Sequence, residues 1–164
     1  MLGYLKSFFT NITYSFTDLM GAIAHPLVDA YSFDGKGIGG ITITMATDRT
    51  EHLIGNDGAT IPIFIPNNSG SLVIECQQNS DMHKWLLGTY NQVMFAAESG
   101  MPEEWARMGA TLKNLTDNTS HSIRGMSFQK IPDKVYQTIG QNVSWVLLAA
   151  EIINESPSGN NNWF

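Results

Sequence analysis

Four histidines (His25, His52, His83 and His121), a single cysteine (Cys76) and the adjacent carboxylates Glu103 and Glu104 are the side chains of this sequence that could do chemistry. Zinc would need histidine or cysteine pairs at short, regular spacing, and these four histidines fall on separate elements with no such pair. They read as turn and strand-edge residues. A nucleophilic cysteine needs an electropositive, accessible setting, whereas Cys76 falls on the apolar face of an alternating segment and reads as a buried structural residue. Glu103 and Glu104 follow Pro102 and precede Trp105, the place for acids in a first helical turn. "DGKGIGG" contains Gly-x-Gly, but a strand follows it and not a helix, so it reads as a flexible loop. No Gly-x-Ser-x-Gly elbow, phosphate-binding loop or calcium loop is present. Neither an enzyme activity nor a cofactor nor a metal is expected.

The elements that would have to position any site are short strands. "ITYSFTD" puts Ile12, Tyr14 and Phe16 on one strand face; "GAIAHP" is a strand ended by Pro26, and "VDAYSF" is another. "ITITMAT" alternates cleanly, with Ile41, Ile43 and Met45 to one side and Thr42 and Thr44 to the other. "GNDG" (Gly55–Gly58) is a turn signal, and the "IPIFI" after it contains Pro62, which bars it from a central strand. In "GSLVIECQ", Leu72, Ile74 and Cys76 share one face and Ser71, Val73, Glu75 and Gln77 the other. The period then switches: Met82, Trp85, Leu86, Tyr90, Val93 and Met94 predict a helix over about 81–97, with Asn79 or Ser80 as N-cap. "SGMPEEWARMG" predicts a loop with one helical turn, and "ATLKNLT", "HSIRGMSFQKI" and "NVSWVLLAAEIIN" complete the strands. About nine short strands and one helix imply a mainly β fold, an antiparallel barrel or sandwich with a flanking helix.

Length and composition narrow the role. A chain of 164 residues suits one domain. Charged residues make up only 15%, against roughly 25% in an ordinary soluble domain. A surface so poor in charge suits a subunit buried among partners. The net charge of −6 and the absence of a Lys/Arg cluster (the densest basic stretch is Arg124, Lys130 and Lys134) argue against ordinary nucleic-acid binding. One cysteine fits a reducing compartment. No signal-like or membrane-spanning run is visible, so no membrane partner is expected. Apolar residues on otherwise polar strands (Val73), and the apolar segment Ile61, Ile63, Phe64 and Ile65 between two turns, suit an assembly interface; the alternative is a segment folded over the domain's own core.

In order along the chain, "YSF.D", a Gly-rich loop before "GGITITM", "GNDG", "SGSLVIECQQNS" and "LLGTYNQ" resemble the tail tube proteins of long-tailed bacteriophages, particularly contractile-tailed ones. The likeness covers roughly residues 12–154. The resemblance implies one domain over 1–164 that forms homohexameric rings, stacked into a hollow tube for genome delivery. It implies an inter-ring hairpin over 52–68; residues 1–11, apolar and aromatic, read by themselves as an N-terminal arm packing on its own domain or on a neighbour, and 154–164, low in apolar content, as a flexible C-terminal tail. Inner-sheet strands would be "ITITMAT", "GSLVIECQ", "ATLKNLT" and "HSIRGMSFQ". Thr42, Thr44, Ser71, Glu75 and Gln77 would then line the lumen, offering DNA no phosphate-binding cation, so that it passes without specific binding. Ile61, Ile63, Phe64 and Ile65, with Tyr4, Phe8 and Phe9 of the arm, would make ring-to-ring contacts. The implied partners are the sheath, the tape-measure protein in the lumen, and the baseplate and tail-terminator proteins. The implied location is the virion tail, assembled in the host cytoplasm.

Three other readings compete. A ring-forming baseplate or tail-terminator protein of similar fold would cap growth. A monomeric β-sandwich module binding carbohydrate or protein would use Trp105 or Trp163 as anchors. A hydrolase with a site assembled in space lacks any nucleophile–base signature.

Overall fold

The computed structural model describes residues 19–34, 38–137 and 139–156. The expected strand at 12–18, the arm with Tyr4, Phe8 and Phe9, and all but the first residues of the tail lie outside them.

The chain runs β1 (Leu19–His25), β2 (Val28–Phe33), β3 (Ile38–Met45), β4 (Thr50–Ile54), β5 (Thr60–Phe64), β6 (Gly70–Gln77), α1 (Asp81–Glu98), a 3-10 turn (Pro102–Ala106), β7 (Met108–Asn114), β8 (Ser120–Phe128) and β9 (Asn142–Glu155). Seven strands form one antiparallel, curled sheet in the order β2-β1-β7-β8-β9-β6-β3, and β4 and β5 form a separate two-stranded hairpin. The mainly β fold with one flanking helix is therefore the one the alternation predicts. The Gly-rich stretch is a correction: Gly39 and Gly40 are not loop but part of β3, where a bulge slips the register between the Ile38–Cys76 and Gly40–Glu75 pairs.

Alternation decides which face is buried. Leu72, Ile74 and Cys76 of β6, Val143, Trp145 and Leu147 of β9, and Met126 and Phe128 of β8 all point to the core. α1 covers that face with Met82 and Leu86, and Trp85, Leu87 and Tyr90 pack against the same cluster. Each such side chain contributes about 1.5–3 kcal/mol by leaving water. Ser80 caps the helix, its hydroxyl accepting from the His83 N–H at 3.2 Å, and Asp81 sits in the first turn where the dipole favours it. The Trp85 indole N–H donates to the Asp29 carbonyl at 3.0 Å, and its ring lies against Tyr31, tying the helix to β2. Gly70 is required by close approach: a Cβ there would stand 2.2 Å from the Thr44 carbonyl oxygen.

β9 joins the two halves of the sheet. Its residues Asn142–Ala149 pair with β6 and Leu147–Glu155 with β8. One row of paired residues crosses the sheet through Met45, Gly70, Ala149, Met126 and Met108 to the Ala24–Gly109 pair. The hairpin leaves the strand ends on one side of that row, and the β1–β2 turn at Pro26 and Leu27 lies on the other.

Candidate assembly surfaces

The residues with chemical potential are not gathered into a centre. Among the described residues no group of three or more His, Cys, Asp or Glu side chains could hold a metal ion, and no helix is long and apolar enough to cross a membrane. Two histidines correct the sequence reading, being buried core residues and not turn or edge residues. His83 accepts the Trp145 indole N–H on Nδ1 at 3.0 Å, and burial, with Lys134 adding to it, pushes its pKa below the ordinary value. His25 Nε2 lies 2.7 Å from the Glu104 carbonyl oxygen, and its Nδ1 accepts from the Leu27 N–H at 3.1 Å. Glu104 does occupy a first helical turn, as expected, but it is buried, with Oε1 held by Arg107 at 2.9 Å. Sequence reading missed these because alternation places a side chain inside or outside without revealing which loop folds over it. Burial raises the Cys76 thiol above its ordinary value, with a Ser80 hydrogen bond offsetting part of that; an inert core thiol follows.

What the fold exposes is surface. The face of the sheet opposite the core carries Thr42 and Thr44 of β3 beside Val73 and Ser71 of β6, with Glu75 and Gln77 further along. All five polar candidates share this face. β9 extends it, with Ser144 opposite Glu75, Val146 opposite Val73 and Leu148 opposite Ser71. The inner-strand set from the sequence omitted β9, although it lies between β8 and β6; its run "WVLLAA" hides the alternation because Leu148 is apolar on the uncored side. Across this face the only acid on β3 and β6 is Glu75. Among the described residues the sheet ends at β2 and β3, each with one open row of backbone groups.

The hairpin is the second surface. Its turn is closed by Gly55 N–H to Ala59 oxygen at 2.8 Å and by Gly58 N–H to Gly55 oxygen at 2.9 Å, and Gly58 adopts φ of +81°, which explains "GNDG". At its base Ile65 N–H bonds the Arg49 oxygen at 2.9 Å, and the Arg49 guanidinium donates to the Asn68 side chain. Thr50–Phe64 and Leu53–Ile61 are directly opposite pairs. The paired strands thus start two residues before the expected 52. Ile54, Ile61 and Phe64 are exposed, and Ile63 and Ile65 half-buried. This segment is not folded over the core. Each face of this two-stranded ribbon leaves apolar side chains exposed, Leu53 and Ile61 on one and Ile54 and Phe64 on the other, an arrangement that is marginal in isolation.

Further apolar exposure went unread in the sequence. Leu27, Phe95 and Met101 meet around a shallow depression, and Ile131, Val135, Tyr136 and Ile139 are exposed along the β8–β9 connection. Phe95 has a helical-period signal, but on the flank away from the core stripe; the connection has no period at all.

Open sheet edges, a polar uncored face and an uncovered apolar hairpin define a structural subunit made to meet other chains. Solved structures share this fold. A chain of the anti-feeding prophage (AFP) baseplate, 6-fold symmetrised, superposes with a TM-score of 0.57 at 11% identity, over 88% of this chain and 95% of that one. A chain of the sheath-tube complex of PVC, an extracellular contractile injection system, in the extended state gives 0.54 at 7% identity, over 92% and 97%. A chain of the sheath/tube terminator of the same kind of system, also in the extended state, gives 0.53 at 9% identity, over 88% and 99%. At such identities the likeness is one of fold. No curated protein matches the sequence. The bacteriophage PhiTE tail tube protein family matches residues 11–155, and the chain belongs to that family. It is a structural phage tail component and not an enzyme.

Proposed function

We propose that copies of this chain, each a single domain over 1–164, join edge to edge into hexameric rings that stack into the hollow conduit of a phage tail. The observation that carries the reading is the curled sheet, which among the described residues ends in two edge strands, β2 and β3, each paired on one side only. Edge pairing between copies would close every ladder into one barrel and leave no exposed edge. The uncored face with Thr42, Thr44, Ser71, Glu75 and Gln77 then lines the lumen, where hydroxyls, amides and an acid give DNA and the tape-measure protein little to hold. The hairpin, with Ile61, Ile63, Phe64 and Ile65, and the N-terminal arm, with Tyr4, Phe8 and Phe9, supply contacts between rings. Such head-to-tail contacts are heterologous and open, which lets a filament grow. Sheath, baseplate and tail-terminator proteins are the outer and end partners, and assembly takes place in the host cytoplasm. Contractile action and genome delivery belong to this reading.

A second reading, a ring-forming baseplate or terminator subunit, is favoured by the comparable fold likeness to a baseplate chain and a terminator chain. Negative-stain electron microscopy over a concentration series, with and without tail baseplates as seeds, separates the two. Hollow rods are expected. Single rings that never stack would support the second reading, and small monodisperse particles under every condition would refute both.

A further inference from the structure

We propose that one face of the β4–β5 hairpin seats in the depression between α1 and the β1–β2 turn of a second copy of this chain. The proposal rests on the stacked-tube reading and names the two surfaces that meet.

The register divides the hairpin into two unlike faces. Leu53 and Ile61 oppose each other on one face, with Glu51 and Ile63. The other face holds Thr50, His52 and Ile54 against Phe64, Pro62 and Thr60, and carries no carboxylate. It also carries the two most exposed large apolar side chains of the hairpin, Ile54 at 77% and Phe64 at 72%. Two such residues in water are a standing cost that contact with another apolar surface removes.

The receiving surface is a depression of about 410 Å³ lined by Leu27, Asn91, Gln92, Phe95, Ala96 and Met101. Phe95 is 72% exposed although it lies within α1, in its last turn. Glu98 and Glu103 are exposed close by in the chain. Charge therefore selects the face: seating the Leu53 side would bring Glu51 toward two carboxylates, whereas the Phe64 side brings His52 and two threonines. Position selects the partner. The hairpin leaves the sheet beyond Met45 and Gly70, and Leu27 lies beyond Ala24 on the other side of the same row of paired residues. Surfaces on opposite sides of the sheet suit a head-to-tail contact, in which each copy gives its hairpin to one neighbour and its depression to another. Joined head to tail, they repeat without limit.

Engineered cysteines test this directly, because the native Cys76 is buried and stays out of the reaction. Phe64→Cys with Phe95→Cys in one chain should, once assembled and treated with copper–phenanthroline, give a ladder of covalent multimers on a non-reducing gel. Leu53→Cys with Phe95→Cys, on the opposite hairpin face, should give roughly tenfold less, since a disulfide requires Cβ atoms about 4 Å apart. Mixing singly substituted chains should stop the ladder at the dimer. Should the double variant not assemble alone, co-assembly with excess unsubstituted protein keeps the cross-link readable. Rods with equal or absent cross-linking from both variants would overturn the proposed seat while leaving the tube reading intact. Absence of rods from unsubstituted protein under every seeding condition would overturn the tube reading and this contact with it.

Discussion

Replacing Trp145 by Phe tests the core that holds the helix on the sheet. The indole is fully buried, with ring centroids 5.5 Å from Phe128, 5.7 Å from His83 and 6.5 Å from Tyr90. Its N–H is the donor to His83 Nδ1 at 3.0 Å. Trp145→Phe leaves a buried acceptor without a partner, at about 1–3 kcal/mol, and opens a small void worth about 1 kcal/mol. The expected loss is about 2–4 kcal/mol, or a fall in Tm of roughly 5–15 °C for a chain of this size. Urea unfolding of unassembled protein at pH 8 measures it. A loss below about 1 kcal/mol would refute the assignment of the indole–imidazole bond as a structural link. The pH dependence gives a second reading. Burial lowers the folded-state pKa of His83 below its ordinary 6.5, so between the folded and unfolded values the unfolded chain binds more protons. Stability from this group is therefore full above the unfolded value and declines as pH falls through the window below it. In Trp145→Phe the ring no longer has to accept from the indole, so the stability curves of parent and variant should converge as the pH falls below that value.

Three further substitutions probe other levels. Gly70→Ala would drive a Cβ into the Thr44 carbonyl, and backbone at that distance must shift; about 1–3 kcal/mol should be lost in denaturant titration. Ser80→Ala removes the helix cap and should cost about 1 kcal/mol in the same assay. Glu75→Lys, on an exposed position of the uncored face, should leave stability within about 0.5 kcal/mol. In assembled particles it should slow genome release in a salt-sensitive way, because it adds phosphate-binding cations to the proposed lumen; unchanged release kinetics at low salt would argue against that face as the lumen.

Much of this fold is written in its alternation. β6 reads directly from "GSLVIECQ", and α1 from a three-and-four period that predicts its start at Asp81 and its end one residue short of Glu98. Those signals are local, and each strand carries its own inside–outside pattern. What lay beyond reach was set by distant partners. His25 looked peripheral because nothing nearby in sequence announces that Glu104, 79 positions later, folds over it. The order that puts β9 between β8 and β6 is likewise a matter of which ladders close, and two neighbouring apolar residues, Leu147 and Leu148, blur which face is inside. For the surfaces, that the five polar residues share one face is legible in their alternation, and that the hairpin is a hairpin is legible in its turn and Pro62. The Leu27–Phe95–Met101 depression joins a turn, a helix and a loop, and no single stretch of sequence carries it.

The split pairing of β9 has a mechanical consequence. Because its first half is laced to β6 and its second half to β8, a tension along the strand direction loads both ladders in shear, and neither can unzip one bond at a time from a free edge. A conduit wall made of such subunits would carry axial load through this strand from one half of each subunit to the other. Within one copy, the amides of its central stretch, around Leu147 to Ala149, should be among the last to exchange with solvent, since they are released only when both halves of the sheet part together.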